Sequence, residues 1–454
     1  MNTYKLLISE ATKKIRENEL SPIDLLKSML TRIDKFEPIL KAWININRDV
    51  VFKIAERYTR EAEEGTLRGL LHGIPIGVKD IFYTKGIKTT ACSRILADFT
   101  PSFDATTVAR LKEAGAIILG KTETTEFAYA DPPNTRNPWN TDHTPGGSSS
   151  GSAVAVSSGM CPAALGTQTG GSTIRPAAYC GIVGLKPTYG RISRHGIIPR
   201  SWSMDHVGIF TRSVEDSALL LQVLAGHDPK DPTSSKQSVF EYGHALDDTP
   251  PPRLGLLKEF FHYEAHHDVR QNLEEVTEQL MDSGAEVLEA HLTKSFDAVH
   301  SAQRLIGTTE GAAYHEEVFR TRMMDYRPKI RGLIASGLLV PSAVYLKAQR
   351  IRSQFIREIA TVLNPYDCFL MPSTTTPAPR GLESTGSSAF NSPWSFCGFP
   401  SVTVPSGSTK DGLPLGIQLV GRPFDEVGVL STARWCEKVI KFDNRPRDKI
   451  PYSH

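Results

Sequence analysis

The chain of 454 residues is 40% hydrophobic and 22% charged, which suits a globular protein with a large core. Its 52 basic and 50 acidic residues leave a net charge of +2 without a basic or acidic block, so charge gives no reason to expect nucleic acid or a membrane surface as partner. Six scattered cysteines without a C-x-x-C pair argue against a zinc ribbon or a disulfide framework. The lysine-dotted start is no signal peptide, and no run reaches the roughly 18 apolar residues of a membrane span, so a cytoplasmic protein is expected.

Residues 1–64 read as helical. Ser21 stands as N-cap and Pro22 at the first helical position, ahead of apolar Leu25, Leu26, Met29, Leu30 and Ile33; a second helix is expected over 51–64. Residues 72–82 (HGIPIGVKDIF) form a short apolar run that predicts a buried strand ending in a turn. A helix over 104–114, capped by Asp104, then leads into the strand 116–120 (AIILG), and this alternation points to an α/β layout. Residues 131–151 are a Pro/Asn/Gly/Ser-rich loop running into a helix start. Residues 160–188 alternate strand-like runs with glycine turns. The polar, Pro-rich stretch 227–252 is the best candidate boundary. Beyond it 266–282 and 296–360 are strongly helical, and 366–373, 400–406 and 415–421 read as late strands rejoining the same sheet.

Three segments carry chemistry. In the first, Gly147-Ser148-Ser149-Ser150-Gly151 fits the G-x-S-x-G elbow, which would make Ser149 a nucleophile; the apolar strand that the elbow needs is missing upstream, where the sequence is RNPWNTDHTPG. In the second, Thr169-Gly170-Gly171-Ser172 follows the apolar run PAALG. Consecutive flexible residues there can aim several N–H groups at one point, as an oxyanion hole requires, or can simply make a tight turn. In the third, Lys79 ends the strand beginning at Ile74. A lysine buried there has a lowered pKa and is a competent base, whereas one that snorkels outward or pairs with Asp80 is not. None of the thirteen histidines is an attractive alternative base or metal ligand.

Taken in order, GIPIGVKD, PGGSSSGSA and QTGGSTIRPAAYCGIVGLKPTYGRIS resemble the amidase signature family, most specifically over 73–212, with NSPWSFCGFPSVTVPSG and DGLPLGIQLVG resembling its C-terminal segments. The resemblance implies an α/β amidase-signature fold: one compact domain with a large mixed central sheet, helices on both faces, and a helical region near the active site. Within it, 1–64 would form N-terminal helices, 65–226 the catalytic core, 253–365 a mainly helical pocket region, and 366–454 the return to the core. The family's Ser–cis-Ser–Lys triad falls on nucleophile Ser172, bridging Ser148 and base Lys79, with a cis peptide expected at Gly147-Ser148. Ser149 takes a supporting position, and the oxyanion donors fall on Thr169, Gly170, Gly171 and Ser172. No metal or organic cofactor is implied.

Departures from the commonest pattern bear on substrate. Gln168 stands where many members have Asp, and the arginine lies three residues after the nucleophile, at Arg175. This form is similar to malonamidase-like and biuret-pathway hydrolase-like members, in the former of which the arginine grips a substrate carboxylate. Arg175 is therefore expected to bind a carboxylate, or else to brace its loop. Tyr129, Gln168, Asn391 and Trp394 are further expected substrate contacts, with Tyr314, His315 and Arg331 as pocket candidates and Ser150, where glycine is usual, altering only loop flexibility. The expected substrate is a small amide carrying a carboxylate, with neither nucleic acid nor membrane as partner and a homodimer left open. The alternative is the glutaminase subunit of a tRNA-dependent amidotransferase. The stretch KTETTEFAYADPPNTRNPW lacks the Met/Ser-rich segment typical of that subunit, which favours the free-standing enzyme.

Overall fold

A computed structural model describes residues 2–243, 246 and 249–446. Eleven strands form one mixed sheet: β1 (Trp43–Asn45), β2 (Pro75–Lys79), β3 (Ile117–Thr122), β4 (Ala163–Gln168), β5 (Val183–Lys186), β6 (His206–Thr211), β7 (Arg253–Leu257), β8 (Glu286–Ala290), β9 (Cys368–Pro372), β10 (Ser401–Ser408) and β11 (Pro414–Val420). Their spatial order is β1-β3-β2-β4-β6-β5-β10-β11-β9-β7-β8. The sheet thus continues across the polar stretch 227–252, part of which, residues 244, 245, 247 and 248, lies outside the described residues.

The central strands β2, β3, β4 and β6 are buried along their whole length, because helices cover both faces. Their sequences accordingly read as apolar runs without alternation. The helix Pro22–Leu40 starts as the sequence predicts, with Ser21 Oγ accepting from the Asp24 amide at 3.1 Å. The predicted cap Asp104 does something else: the helix begins at Thr106, and Asp104 pairs with Lys112 at 2.8 Å. Residues 174–179, expected to be strand-like, form a short helix, and β7 and the edge strand β8 arise where no strand is expected. The long helical region resolves into three helices, Val299–Arg322, Pro328–Leu338 and Ser342–Leu363. Among the described residues no single helix is long and apolar enough to cross a membrane.

Topology places the site. β4 runs parallel to β2, with Val78 opposite Leu165, so Lys79 and Thr167 emerge at the same carboxyl end of the sheet. β6 runs antiparallel to β4, with His206 opposite Gln168, which delivers Asp205 to that end as well. The helix Ser150–Ser157 meets the chain just before β1 and just after β3 through a small residue. A Cβ on Gly151 would lie 2.2 Å from the Ala42 carbonyl oxygen and 2.4 Å from the Glu123 nitrogen, both backbone atoms with no room to yield. Gly151→Ala is therefore expected to lower stability by about 2 kcal/mol or more. Urea unfolding checks this, and an unchanged midpoint would remove the close approach from the account.

Candidate active site

Lys79 is fully buried as the last residue of β2, and its Nζ lies 2.8 Å from Ser148 Oγ and 2.9 Å from Thr167 Oγ1. Burial outweighs the attraction of Asp205 and brings its pKa down to about 7. Lys121 and Lys186 are also fully buried, with pKa values brought down by burial to about 8 and about 7, but each donates to a carbonyl oxygen, of Phe82 and Phe399 respectively; Lys121 also meets the Thr84 and Thr89 hydroxyls and has Asp80 at 3.9 Å. Both Lys79 partners are hydroxyls, which can give up a proton as well as accept a hydrogen bond. Lys79 differs from Lys121 and Lys186 in having hydroxyls alone as hydrogen-bond partners among the described residues, one of them on Ser148.

The peptide bond Gly147-Ser148 is cis, and the Ser148 carbonyl accepts from the Thr125 amide at 3.2 Å. Ser149 is fully buried; its Oγ accepts from the Thr167 amide at 3.2 Å and approaches the Thr167 carbonyl at 3.3 Å. A hydroxyl so engaged on β4 has no exposed face for attack. Ser150 Oγ donates to the Gly146 carbonyl at 2.7 Å, so the serine that replaces the usual glycine ties the loop to its helix.

Ser172 is partly exposed at the end of the turn that leaves β4. The carbonyls before it are drawn away from the turn's inner side: Gln303 Nε2 donates to Thr169 O at 3.1 Å, Ser395 Oγ to Gly170 O at 2.8 Å, and the Arg175 amide to Gly171 O at 3.0 Å. The amides of Gly170, Gly171 and Ser172 donate to no protein group among the described residues. Three N–H groups left unused beside a partly exposed serine form a ready oxyanion site. Thr169 Oγ1 donates to Asp205 at 2.5 Å, and the other Asp205 oxygen accepts from the amides of Arg200 and Ser201 at 2.8 and 2.9 Å.

The expected substrate contacts divide. Tyr129 reaches this region, with its hydroxyl 3.3 Å from the Arg200 carbonyl, and burial raises its pKa. Gln168 instead closes the nucleophile turn, its Oε1 accepting from the amides of Thr173 and Ile174 at 2.8 and 2.9 Å. Arg175 is spent on the chain: it donates to Gly386 O at 2.7 Å, Gly147 O at 2.5 Å and Thr385 Oγ1 at 3.1 Å. Only its buried Nε lacks a partner, so the arginine braces two loops and presents no fork to a carboxylate. Asn391 is buried behind Gly171, donating to Ser373 O and Gln418. Trp394 is fully buried among Phe261 and Phe369, and a side chain without exposed surface offers nothing to a substrate. His315 is buried against Tyr326, with its pKa pushed down to about 4 by desolvation, Tyr314 is half exposed, and Arg331 contacts Met324. Sequence reasoning missed Thr167, Asp205, Gln303 and Ser395. Each comes from a different part of the chain, so no local spacing marks the set.

Known proteins share this architecture. The family model described as Amidase matches residues 24–430. The chain is 39% identical to the A subunit of glutamyl-tRNA(Gln) amidotransferase from Geobacter metallireducens, over 96% of this chain and 98% of that protein. Among solved structures, the native peptide amidase from Stenotrophomonas maltophilia superposes with a TM-score of 0.86 at 31% identity, covering 98% of this chain and 99% of its own. The A subunit of glutamyl-tRNA(Gln) amidotransferase from Thermotoga maritima gives 0.80 at 30% identity, covering 99% and 97%. These relatives correct the partner reading. Near-neutral charge and the missing Met/Ser-rich segment pointed to a small-molecule amide without nucleic acid, yet relatives matched along nearly their whole length are named for a tRNA-linked reaction. Net charge reports on the whole surface and says little about a partner bound through other subunits.

Proposed function

The chain belongs to the amidase signature family of hydrolases acting on amide C–N bonds, and from that premise we propose that it cleaves the side-chain carboxamide of a glutamine-type donor to release ammonia, as the amide-hydrolysing member of an amidotransferase-like assembly. The observation that carries the chemistry is Lys79 Nζ buried 2.8 Å from Ser148 Oγ with a pKa of about 7. Identity with the amidotransferase subunits along nearly the whole chain supports the donor and the assembly.

In this mechanism neutral Lys79 takes the Ser148 proton while Ser148 takes that of Ser172, whose Oγ bonds to the amide carbon. The oxyanion formed receives the free amides of Gly170, Gly171 and Ser172. Lys79 then returns its proton through Ser148 to the leaving nitrogen, the C–N bond breaks, and ammonia departs. Water adds to the acyl-Ser172 ester, gives a proton to the relay, and the carboxylic acid leaves as Ser172 recovers its hydrogen. Asp205 and Gln303 hold the turn through Thr169, so the donors point inward before substrate arrives.

The test measures ammonia from glutamine with the chain alone, then with the remaining amidotransferase subunits of a relative and charged tRNA. Release that rises on adding subunits and tRNA is expected. Release from simple carboxamides with no response to either would favour a free-standing amidase, and no Ser172-dependent release from any carboxamide would overturn the reading.

A further inference from the structure

We propose that Arg200, and not Arg175, is the cation that receives the carboxylate of the amide donor. The proposal rests on the function just given and adds to it the group that fixes the non-reacting end of the donor.

Arg200 is partly exposed, and its guanidinium carbon sits 5.0 Å from the centre of the Tyr129 ring. Stacking on an aromatic face orients the planar fork without consuming its N–H donors. No ion pair joins Arg200 to a carboxylate among the described residues. The nearby Asp205 accepts from the Arg200 backbone amide and is otherwise taken by Thr169 and Ser201. A guanidinium that close to a buried site, held rigidly and left without a counter-ion, is what bidentate carboxylate recognition requires.

The helix Val299–Arg322 makes room for it. Gln303, Gly307 and Gly311 follow one another at intervals of four and so share a face. Gln303 holds the Thr169 carbonyl of the nucleophile turn. A Cβ on Gly307 would lie 3.3 Å from Arg200 Nη1, and one on Gly311 would lie 1.8 Å from the Tyr129 hydroxyl oxygen. The two glycines thus let the Arg200–Tyr129 stack lie flat against the helix, one and two turns from the residue that anchors the turn before Ser172. Arg200 is also close enough to act on the Lys79 charge, which it disfavours.

The experiment compares succinamate, an amide with a carboxylate, with butyramide, its uncharged counterpart, by ammonia release. In Arg200→Gln the ratio of kcat/KM for succinamate to that for butyramide should fall by about 10- to 100-fold, carried by KM. Arg200→Lys should restore part of the ratio, since it keeps the charge and loses the fork. In parallel, succinamate is titrated calorimetrically into Ser172→Ala protein with and without Arg200→Gln. An unchanged ratio, or binding that ignores Arg200, overturns the proposal. If no amide is hydrolysed yet succinamate binding depends on Arg200, the anion site stands and the proposed reaction falls.

Discussion

Ser172→Ala is expected to cut amide hydrolysis by on the order of 10⁴-fold or more and to abolish labelling by a fluorophosphonate. The reason is positional. Ser172 is the serine that is partly exposed next to three unused backbone donors, whereas Ser148 and Ser149 are buried. Ser148→Ala should also be severe, by about 10²–10⁴-fold, because it removes the hydroxyl on which Lys79 acts in the proposed relay. The two losses should not add in the double variant, since both residues serve one proton path. Ser149→Ala should retain the label at Ser172, while losing the two contacts with Thr167 that hold the loop to β4. Peptide mapping of the labelled protein decides the matter. A label on Ser149 would restore the elbow reading and reassign the site.

Lys79→Met should lower activity by about 10²–10⁴-fold and yet raise stability near neutral pH. In the folded chain the amine has a pKa of about 7, against an ordinary value of 10.5 when unfolded. Between those values the unfolded chain carries a proton that the folded chain lacks, so wild-type stability climbs as pH rises from about 7 to 10.5. Below about 7 the whole cost of burying the charge is present, at roughly 1.4 kcal/mol for each pH interval of one between the two values. Methionine removes that cost but leaves Ser148 and Thr167 without their amine partner, which costs about 1–3 kcal/mol. The net gain at about pH 7 should be on the order of 2 kcal/mol and should shrink toward about pH 10. Urea titrations across pH measure it, and a Lys79→Met protein that is less stable near neutrality with the wild-type pH slope would refute the neutral-lysine account. Wild-type kcat/KM should rise through about pH 7 as the base form accumulates, a limb that the variant lacks.

These two expectations belong together. Lys121 and Lys186 are also buried with lowered pKa values, but each donates to a backbone carbonyl, which cannot pass a proton on. Lys79 is costly to bury, and its partners are hydroxyls that can pass a proton on. The chain carries this cost at the carboxyl end of β2, where the parallel neighbour β4 opens the turn that holds Ser172.

The amino-acid sequence by itself determined the local elements and the chemistry-bearing types. The helix start at Ser21-Pro22, the buried strand ending in Lys79, and the late strands around 368–372, 401–408 and 414–420 follow from propensity and apolar pattern, which act between near neighbours. The family resemblance carried by the ordered motifs proposes Lys79, Ser148 and Ser172 as a set, and the fold brings Lys79 within 2.8 Å of Ser148. Where the donors of each arginine lie was decided only by tertiary structure. Arg175 sits in the motif and looks like the ligand, but loops far along the chain, at Gly386 and Thr385, consume its donors. Arg200 sits in an unremarked loop, and Tyr129 with two glycines of a distant helix orient it. Strands β7 and β8 were likewise invisible: β7 is held between β9 and the edge strand β8, and β8, largely exposed and without an apolar run, takes its conformation from pairing with β7. Hydrogen-bond satisfaction depends on which groups long-range folding brings together, and one-dimensional spacing carries no record of that.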